Sequence, residues 1–243
     1  MAKGPSSPGA TREMFTVYHH PFSPSCRFVR LALAEYETRF DLEVEQVWRP
    51  REAFLRLNPA GEVPVAVEND GPPLCGASVI MEYLEDTRGY AAGKRRLMPD
   101  NPDARAEVRR LTEWFLSKFH EEVSGPFVSE RIYKVEMPPA AGGGAPDSAS
   151  LRAARAHMRH HLRYLGYLVS ARDWVAGDTI SFADLAAAAA LSAVDYLGEV
   201  PWQEDEAARA WYARMKSRPS FRPILGESAR GVRAAEHYAD LDF

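Results

Sequence analysis

The chain is poor in cysteine, has no excess of positive charge and contains no long run of apolar residues. Its 243 residues include only 2 cysteines, Cys26 and Cys75, too few for a disulfide framework or a cysteine-based zinc site. The formal net charge of −4 predicts no nucleic-acid binding, because nucleic-acid partners carry a basic surface. With neither a signal peptide nor a membrane-spanning segment, the sequence predicts a cytoplasmic protein that does not insert into membranes.

The composition is that of an ordinary soluble protein, with 46% hydrophobic and 26% charged residues. The length suffices for one large or two small domains with an ample core. Residues 1–13 are small and polar and show no periodicity. We therefore interpret them as a disordered N-terminal segment or a cloning remnant, with Met14 as a candidate native start.

Residues 14–33 organise the rest of the chain and predict a strand, a loop and a helix. Residues 15–19 are β-branched or aromatic, which favours a strand. Ser23 or Ser25 offers a hydroxyl to cap the helix that follows. Free backbone N–H groups in the first turn, near Cys26, can stabilise a thiolate or a carboxylate. A capped helix without any chemistry is the alternative interpretation.

The first half of the chain continues as an alternation of strands and helices. The pattern predicts a strand at 41–47, a short helix at 51–57, a hairpin of strands at 65–68 and 73–75, and a helix at 77–87. The pair Val63-Pro64 stands before the third strand, where a proline cannot donate a hydrogen bond to the sheet. We therefore predict a fixed turn with a cis peptide bond at that pair.

Local signals predict helices throughout the second half. Asn101-Pro102 combines an N-cap with a proline at the first helical position, and the apolar residues behind it recur with helical spacing. Residues 136–150 are rich in proline and glycine, which predicts a flexible loop before a helix at 151–169. Ser181 and Asp184 have the spacing of a capping box at the start of another helix.

The strand–serine–helix opening, the Val63-Pro64 pair and the Ser181-x-x-Asp184 box together resemble the glutathione transferase superfamily. The resemblance implies an α/β N-terminal thioredoxin-like domain followed by an all-α C-terminal domain. The implied division of the chain is the N-terminal segment (1–13), a thioredoxin-like domain (14–90), a linker (91–101), a transferase-type helical domain (102–226) that contains the flexible loop, and a C-terminal tail (227–243).

The glutathione site departs from the family pattern. Gly76 and Ala77 stand where the family carries a Glu and a Ser that hold the γ-glutamyl end of glutathione. Losing two charge-assisted hydrogen bonds, at about 1.5–3 kcal/mol each, predicts a binding loss of roughly 3–6 kcal/mol. Ser23 remains where serine-type members place the activating hydroxyl. The resemblance thus implies a vestigial site, formed by Ser23, Val63, Pro64, Gly76 and Ala77, that binds no cofactor.

The C-terminal tail ends in apolar side chains interleaved with carboxylates. Such a segment suits docking into a groove with a basic rim, although a frayed acidic tail is the alternative. The predicted partner-binding residues are Tyr238, Asp240, Leu241, Asp242 and Phe243.

The fold, the degenerate site and this ending together resemble the family members that act in bacterial cell division. The resemblance implies a non-catalytic cytoplasmic homodimer at the division site. It also implies binding to filaments of the tubulin-like GTPase FtsZ, with promotion of filament curvature and constriction.

Two other hypotheses stay open at this point. A serine-type glutathione transferase acting on electrophilic small molecules would use Ser23 to hydrogen-bond the thiolate, and the Val63 backbone to pair with glutathione. A redox protein would use Cys26 as a lone thiol of low pKa. Ser23 stands where a partner cysteine would be, so dithiol exchange is disfavoured. His157 and His161 have metal-ligand spacing, but without a third ligand we expect a solvated or dimer-facing pair.

Overall fold

The computed structural model describes residues 14–241. The predictions for residues 1–13, Asp242 and Phe243 therefore lie outside the described residues. Within the described range, no helix has the length and hydrophobicity needed to cross a membrane.

A four-stranded mixed sheet forms the centre of the N-terminal half. Its strands are β1 (Met14–His19), β2 (Arg39–Val44), β3 (Val65–Glu68) and β4 (Leu74–Cys75), in the order β2-β1-β3-β4. Strand β1 pairs with β2 in parallel and with β3 antiparallel, and β3 pairs antiparallel with β4, as the predicted hairpin requires. Phe15 and Val17 point to one face of β1 and are fully buried there.

Three helices connect and cover these strands. They are α1 (Pro24–Glu35), α2 (Glu52–Leu57) and α3 (Ala77–Leu84), and α3 continues as a π-helical turn (Glu85–Gly89) and a short helix (Tyr90–Ala92). The predicted cis peptide bond at Val63-Pro64 is confirmed. The second strand begins and ends earlier than the predicted 41–47, because the chain turns away after Val44 and Glu45 is buried as a partner of Arg51.

The C-terminal half opens with a long helix that starts where the sequence predicted. Helix α4 (Pro102–Glu113) is capped by Asn101, whose side chain accepts hydrogen bonds from Asp103 N and Ala104 N. The chain stays helical to Glu136. Its later segments are π-helical at Trp114–Lys118, His120–Ser124 and Ser129–Tyr133, and α-helical at Gly125–Val128 and Lys134–Glu136. A 3-10 turn (Pro139–Ala141) follows.

The remaining helices pack around one buried helix. They are α5 (Ser148–Ala171), α6 (Phe182–Tyr196) and α7 (Glu206–Lys216), with short helical turns at Gly93–Arg95, Trp202–Glu204, Pro219–Phe221 and Arg222–Leu225. The predicted capping box of Ser181 and Asp184 is confirmed at the start of α6. Every residue of α6 is buried, and α1 lies against it, so this contact joins the two halves.

The structure differs from the prediction for the histidine pair on α5. His161 is buried rather than solvated or dimer-facing, because the Trp114 indole donates to its Nδ1 at 3.1 Å and Glu122 lies 2.8 Å from its Nε2. His157 is exposed and lies 3.9 Å from the same carboxylate. Among residues 14–241, no group of three or more potential ligands is placed to hold a metal ion.

Candidate functional site

A cleft between the N-terminal half and the helical continuation of α4 contains two adjoining cavities of about 390 and 560 Å³. The two cavities share the lining residues Ser25, Ala60, Glu62 and Val63, so they are neighbours in the same cleft. The cleft contains all five residues of the predicted vestigial site. Pro64, Gly76 and Ala77 line the smaller cavity, Ser23 lines the larger one, and Val63 lines both.

Ser23 sits at the point where the loop enters α1. As the N-cap, it accepts a hydrogen bond on Oγ from the Cys26 backbone N–H at 3.4 Å, and it is only 9% exposed. This bond occupies one orphan donor of the helix and explains why a serine suits the position. Ser25, two residues later, lines both cavities.

Gly76 and Ala77 form the opposite wall, at the start of α3. Gly76 adopts a φ of 93°, which favours glycine, and its N–H donates to the Pro64 carbonyl at 3.0 Å. Among residues 14–241, no side chain caps α3, so its first-turn N–H groups have no side-chain acceptor from the described part of the chain. Gly76 and Ala77 therefore offer backbone donors, but neither the carboxylate nor the hydroxyl that the resemblance leads us to expect at these two positions.

Sequence reasoning missed several lining residues. Ser78 adds a hydroxyl next to Ala77. Glu113 ends α4 and Ser117 lies in its π-helical continuation, where the Ser117 hydroxyl donates to Glu113 at 2.5 Å. His120 and Tyr133 line the larger cavity. In the sequence, Glu113 and Ser117 have the pattern of solvent-exposed positions of an amphipathic helix. No sequence signal therefore indicated that they line a cleft.

The charge of the cleft is negative. Its lining includes Glu62 and Glu113 but, among residues 14–241, no lysine or arginine. Burial also lowers the pKa of His120, so this imidazole is neutral at pH 7. A ligand that carries two carboxylates finds no cationic side chain here.

The redox hypothesis for Cys26 is wrong. The thiol is fully buried, and burial raises its pKa to about 11 despite the Ser23 hydrogen bond, which acts in the opposite direction. A protonated, inaccessible thiol is a poor nucleophile. The helix N-terminus therefore does not create a reactive thiolate at this position.

The C-terminal segment is packed for most of its length, which corrects the picture of a tail beginning at residue 227. Tyr238 is 1% exposed, its hydroxyl donates to the Ile224 carbonyl at 3.1 Å, and its ring meets Tyr196 edge-on. The side chain that we predicted to contact a partner instead anchors the segment. The Lys216 ammonium donates to the His237 carbonyl at 3.0 Å and adds a second attachment.

An ion-pair network ties this segment to α1. Arg27 is fully buried; its guanidinium donates to Pro21 O at 2.7 Å, Ser192 Oγ at 2.8 Å and Glu227 Oε2 at 3.1 Å. The other oxygen of Glu227 lies 2.6 Å from Arg30. The loop that carries Ser23 and the start of the C-terminal segment therefore share one buried arginine.

Asp240 and Leu241 are the exposed end of the described chain. Leu241 is 37% exposed, and Asp240 N–H donates to the His237 carbonyl at 3.1 Å. Asp240 also lines a groove of about 420 Å³, hereafter the tail groove, together with Gly198, Val200, Trp202, Gln203, Arg209 and His237. Of the three predicted partner-binding residues that lie within 14–241, Asp240 and Leu241 are at the surface and Tyr238 is buried.

Comparisons with known proteins identify both halves of the chain. The family model for the N-terminal domain of glutathione S-transferase matches residues 22–87, and the model for the C-terminal domain matches residues 104–219. FtsZ-localized protein A from Caulobacter vibrioides is 42% identical over 233 residues, covering 94% of this chain and 98% of that protein.

Solved structures agree with these matches. A glutathione S-transferase from Sinorhizobium meliloti is 55% identical with a TM-score of 0.93, covering 95% of this chain and all of that one, 100%. FzlA from C. crescentus is 42% identical with a TM-score of 0.87, with the same coverage of 95% and 100%. The chain therefore belongs to the glutathione S-transferase family, with its thioredoxin-like N-terminal domain and its helical C-terminal domain.

Proposed function

We propose that this protein is a non-catalytic adaptor of bacterial cell division that binds FtsZ filaments as a homodimer in the cytoplasm, at the division site. The observation that carries the proposal is the similarity to FtsZ-localized protein A along 94% of this chain and 98% of that protein. A twofold dimer presents two equal surfaces, so it can bridge or bend a filament and promote constriction.

The cleft supports the non-catalytic part of the proposal. Gly76 and Ala77 remove two ligand contacts, and no lysine or arginine among the described lining residues compensates for them. A loss of roughly 3–6 kcal/mol turns a micromolar site into a millimolar one or worse. We therefore expect no glutathione binding in the low-millimolar range.

The exposed end of the C-terminal segment is the proposed contact with FtsZ. Asp240 and Leu241 are at the surface, and Asp242 and Phe243 follow them in the sequence. Tyr238 supports this end from the core. Apolar side chains between carboxylates suit a partner groove with a basic rim.

Co-sedimentation with FtsZ polymers at two salt concentrations tests the contact. Asp240→Lys should abolish pelleting, since like charges at an interface cost several kcal/mol. Phe243→Ala should weaken pelleting more than Leu241→Ala, which removes less apolar area. Asp70→Lys, an exposed acid on the turn after β3, is the matched control. Wild-type pelleting by a chain without residues 240–243 would show that the tail is not the contact.

Two further measurements test the remaining parts of the proposal. Analytical ultracentrifugation should give a dimer for the wild type and for Asp240→Lys. Electron microscopy of FtsZ filaments should show stronger curvature with the wild type than with Asp240→Lys. A monomer, or filaments of unchanged shape, would contradict the bridging model.

A serine-type glutathione transferase is the second candidate, favoured by one observation. The Ser23 hydroxyl lines the cleft at the N-terminus of α1, where it could donate a hydrogen bond to a thiolate. Calorimetric titration with glutathione, and an assay with a generic electrophile, separate the candidates. Micromolar binding that is lost in Ser23→Ala would establish the transferase and overturn the non-catalytic adaptor.

A further inference from the structure

Helix α5 differs in charge from the rest of this acidic protein. Its 24 residues contain Arg152, Arg155, Arg159 and Arg163 but no aspartate or glutamate, whereas the whole chain has a net charge of −4. The positive charge on this helix is therefore a local feature that the overall composition conceals.

The four arginines share the solvent-facing side of the helix. Leu151, Met158 and Leu165 face the core, whereas the four arginines, at successive spacings of three, four and four residues, lie within one exposed arc beside that buried face. Tyr167 lies one turn beyond Arg163 and is 70% exposed. We call this surface, formed by the four arginines and Tyr167, the α5 stripe.

Two arginines of the stripe already hold carboxylates of this chain. Arg155 binds Glu199 through two nitrogens at 2.6 and 2.7 Å, and Arg159 binds Glu204 at 2.9 Å. Arg131 shares Glu199 at 2.9 Å, so this trio keeps one surplus positive charge. The geometry shows that the stripe is suited to forked carboxylate contacts.

The other two arginines have no ion-pair partner among residues 14–241. Arg152 and Arg163 are both exposed, and Arg163 makes one bond, from Nε to the Arg159 carbonyl at 3.3 Å. They are eleven residues apart, or roughly 16 Å along the helix axis. An extended segment with several carboxylates could reach both.

The stripe is continuous with the tail groove. A cavity of about 240 Å³ lies between Arg155, Arg159 and the turn at 198–203. That turn also lines the tail groove, through Gly198, Val200 and Gln203. A partner that contacts Asp240 can therefore keep contact with this protein along the turn at 198–203 and reach α5.

We propose that the α5 stripe is a docking surface for an acidic protein segment, carried by the same partner that meets the tail; the partner's identity rests on the proposed function. Nucleic acid and anionic membrane fit less well. A duplex nucleic acid needs a run of phosphate contacts, whereas two of the four arginines are already paired with Glu199 and Glu204. The stripe also presents one aromatic side chain where a bilayer-binding helix presents a full apolar face.

The test compares Arg152→Glu/Arg163→Glu with Arg39→Glu/Lys94→Glu in the full chain. The control pair is exposed in the N-terminal half and produces the same net charge. Fluorescence anisotropy with a labelled oligoglutamate peptide should show salt-sensitive binding to the wild type and to the control. Binding to the α5 variant should be weaker by about tenfold or more, since two contacts become repulsions.

Several results would overturn the proposal. The control could lose as much affinity as the α5 variant, or a DNA oligonucleotide or anionic vesicles could bind in preference to the peptide with the same dependence on α5. A changed oligomeric state of the α5 variant in ultracentrifugation would make the stripe a contact between copies of this chain.

FtsZ co-sedimentation separates this proposal from the proposed function. We expect the α5 variant to pellet less than the wild type and the control. If Asp240→Lys abolishes pelleting but the α5 variant pellets like the wild type, the docking role of the α5 stripe is refuted. The adaptor function would be unaffected by that result. A wild-type protein that does not pellet at all would refute the adaptor, while the oligoglutamate titration would still test the acidic chemistry.

Discussion

At the scale of single residues, the buried ion pair of Arg27 and Glu227 has the largest predicted effect on the free energy of unfolding. Glu227→Gln would remove the carboxylate that faces Arg27 and Arg30, leaving two poorly compensated guanidinium groups. Because Arg27 is fully buried, we expect a loss of about 3 kcal/mol in the free energy of unfolding. Urea denaturation measures the loss, and faster amide exchange at 227–238 should accompany it.

Glu206→Gln is the control for this prediction. Its carboxylate is 85% exposed and lies 3.8 Å from Arg209, so its removal should change stability by less than about 0.5 kcal/mol. An equal loss in both variants would mean that burial of the network contributes nothing.

His19 makes the stability of the protein depend on pH. Burial, with a smaller contribution from Arg30, lowers its pKa from 6.5 to about 3. Below pH 6.5 this histidine is protonated in the unfolded chain but stays neutral in the folded protein. The free energy of unfolding therefore falls toward pH 3, by up to about 1.4 kcal/mol per pH unit. His120 and His161, whose pKa values burial also lowers, add to the same slope.

His19→Leu should flatten the decline in unfolding free energy between pH 7 and about pH 4. His157→Gln, a histidine substitution at an exposed position, is the control. Thermal or urea unfolding at several pH values measures both slopes. A slope that persists undiminished in His19→Leu would exclude this histidine as its source.

Local chemistry was readable from the sequence at the residue scale. Asn101 and Ser181 were predicted as caps, and Ser23 was one of two candidates with Ser25. Asn101, Ser181 and Ser23 each cap a helix, because capping involves only neighbours in the chain. The contact between Arg27 and Glu227 joins residues 200 positions apart. From the sequence alone an arginine is expected to be solvent-exposed, so the burial of Arg27 was not predicted.

At the scale of elements, the packing of α5 on α7 depends on Gly166. A Cβ atom at this position would lie 1.9 Å from Oδ2 of Asp205, the residue that caps α7 through Ala208 N. Gly166→Ala should therefore either push the helices apart or break the cap. We expect a loss of about 2 kcal/mol in the free energy of unfolding, measured by urea denaturation.

A double-mutant cycle checks the cause. Asp205→Ala should cost about 1 kcal/mol for the lost cap. In that background, Gly166→Ala should cost little, because the carboxylate that it would strike is gone. Additive losses in the double variant would contradict the predicted clash.

Helix α4 and its continuation show where element prediction stops. The periodicity predicted a helix beyond Asn101, and the chain is helical to Glu136, but the π-helical segments were not foreseen. A π-turn inserts one residue per turn and changes which side chains face the cleft. Pro126, which lacks a backbone N–H, is the second residue after one such segment, His120–Ser124.

At the scale of the whole molecule, the C-terminal segment divides into a structural part and an exposed part. Removal of residues 240–243 should change the free energy of unfolding by less than about 0.5 kcal/mol, because Asp240 and Leu241, the two of these residues that the structure describes, are exposed. Removal of 227–243 should cost more than about 4 kcal/mol, because it deletes Tyr238 and the partner of Arg27. Calorimetric scans of both truncations measure the difference. Similar melting temperatures would contradict the division.

The overall architecture was predictable because strands, caps and turns give local signals in a fixed order. The cleft was predictable only on its N-terminal wall, from Ser23 to Ala77. Its other wall comes from the end of α4 and its helical continuation, and the placement of Glu113 and Ser117 depends on how the two halves dock. Docking follows from the burial of α6 against α1, which periodicity alone does not specify.

The two cysteines give the protein a natural chemical reporter. Cys26 is sealed in the core with a raised pKa, whereas Cys75 is partly exposed in the wall of the smaller cavity, with Sγ 3.6 Å from the Leu57 carbonyl. A maleimide should modify the native protein at Cys75, and reach Cys26 only after unfolding, as peptide mass spectrometry would show. Labelling at Cys26 under native conditions would contradict this. Any molecule that occupies the cleft should slow the reaction of Cys75 with maleimide. Binding to the cleft can therefore be detected without an engineered probe.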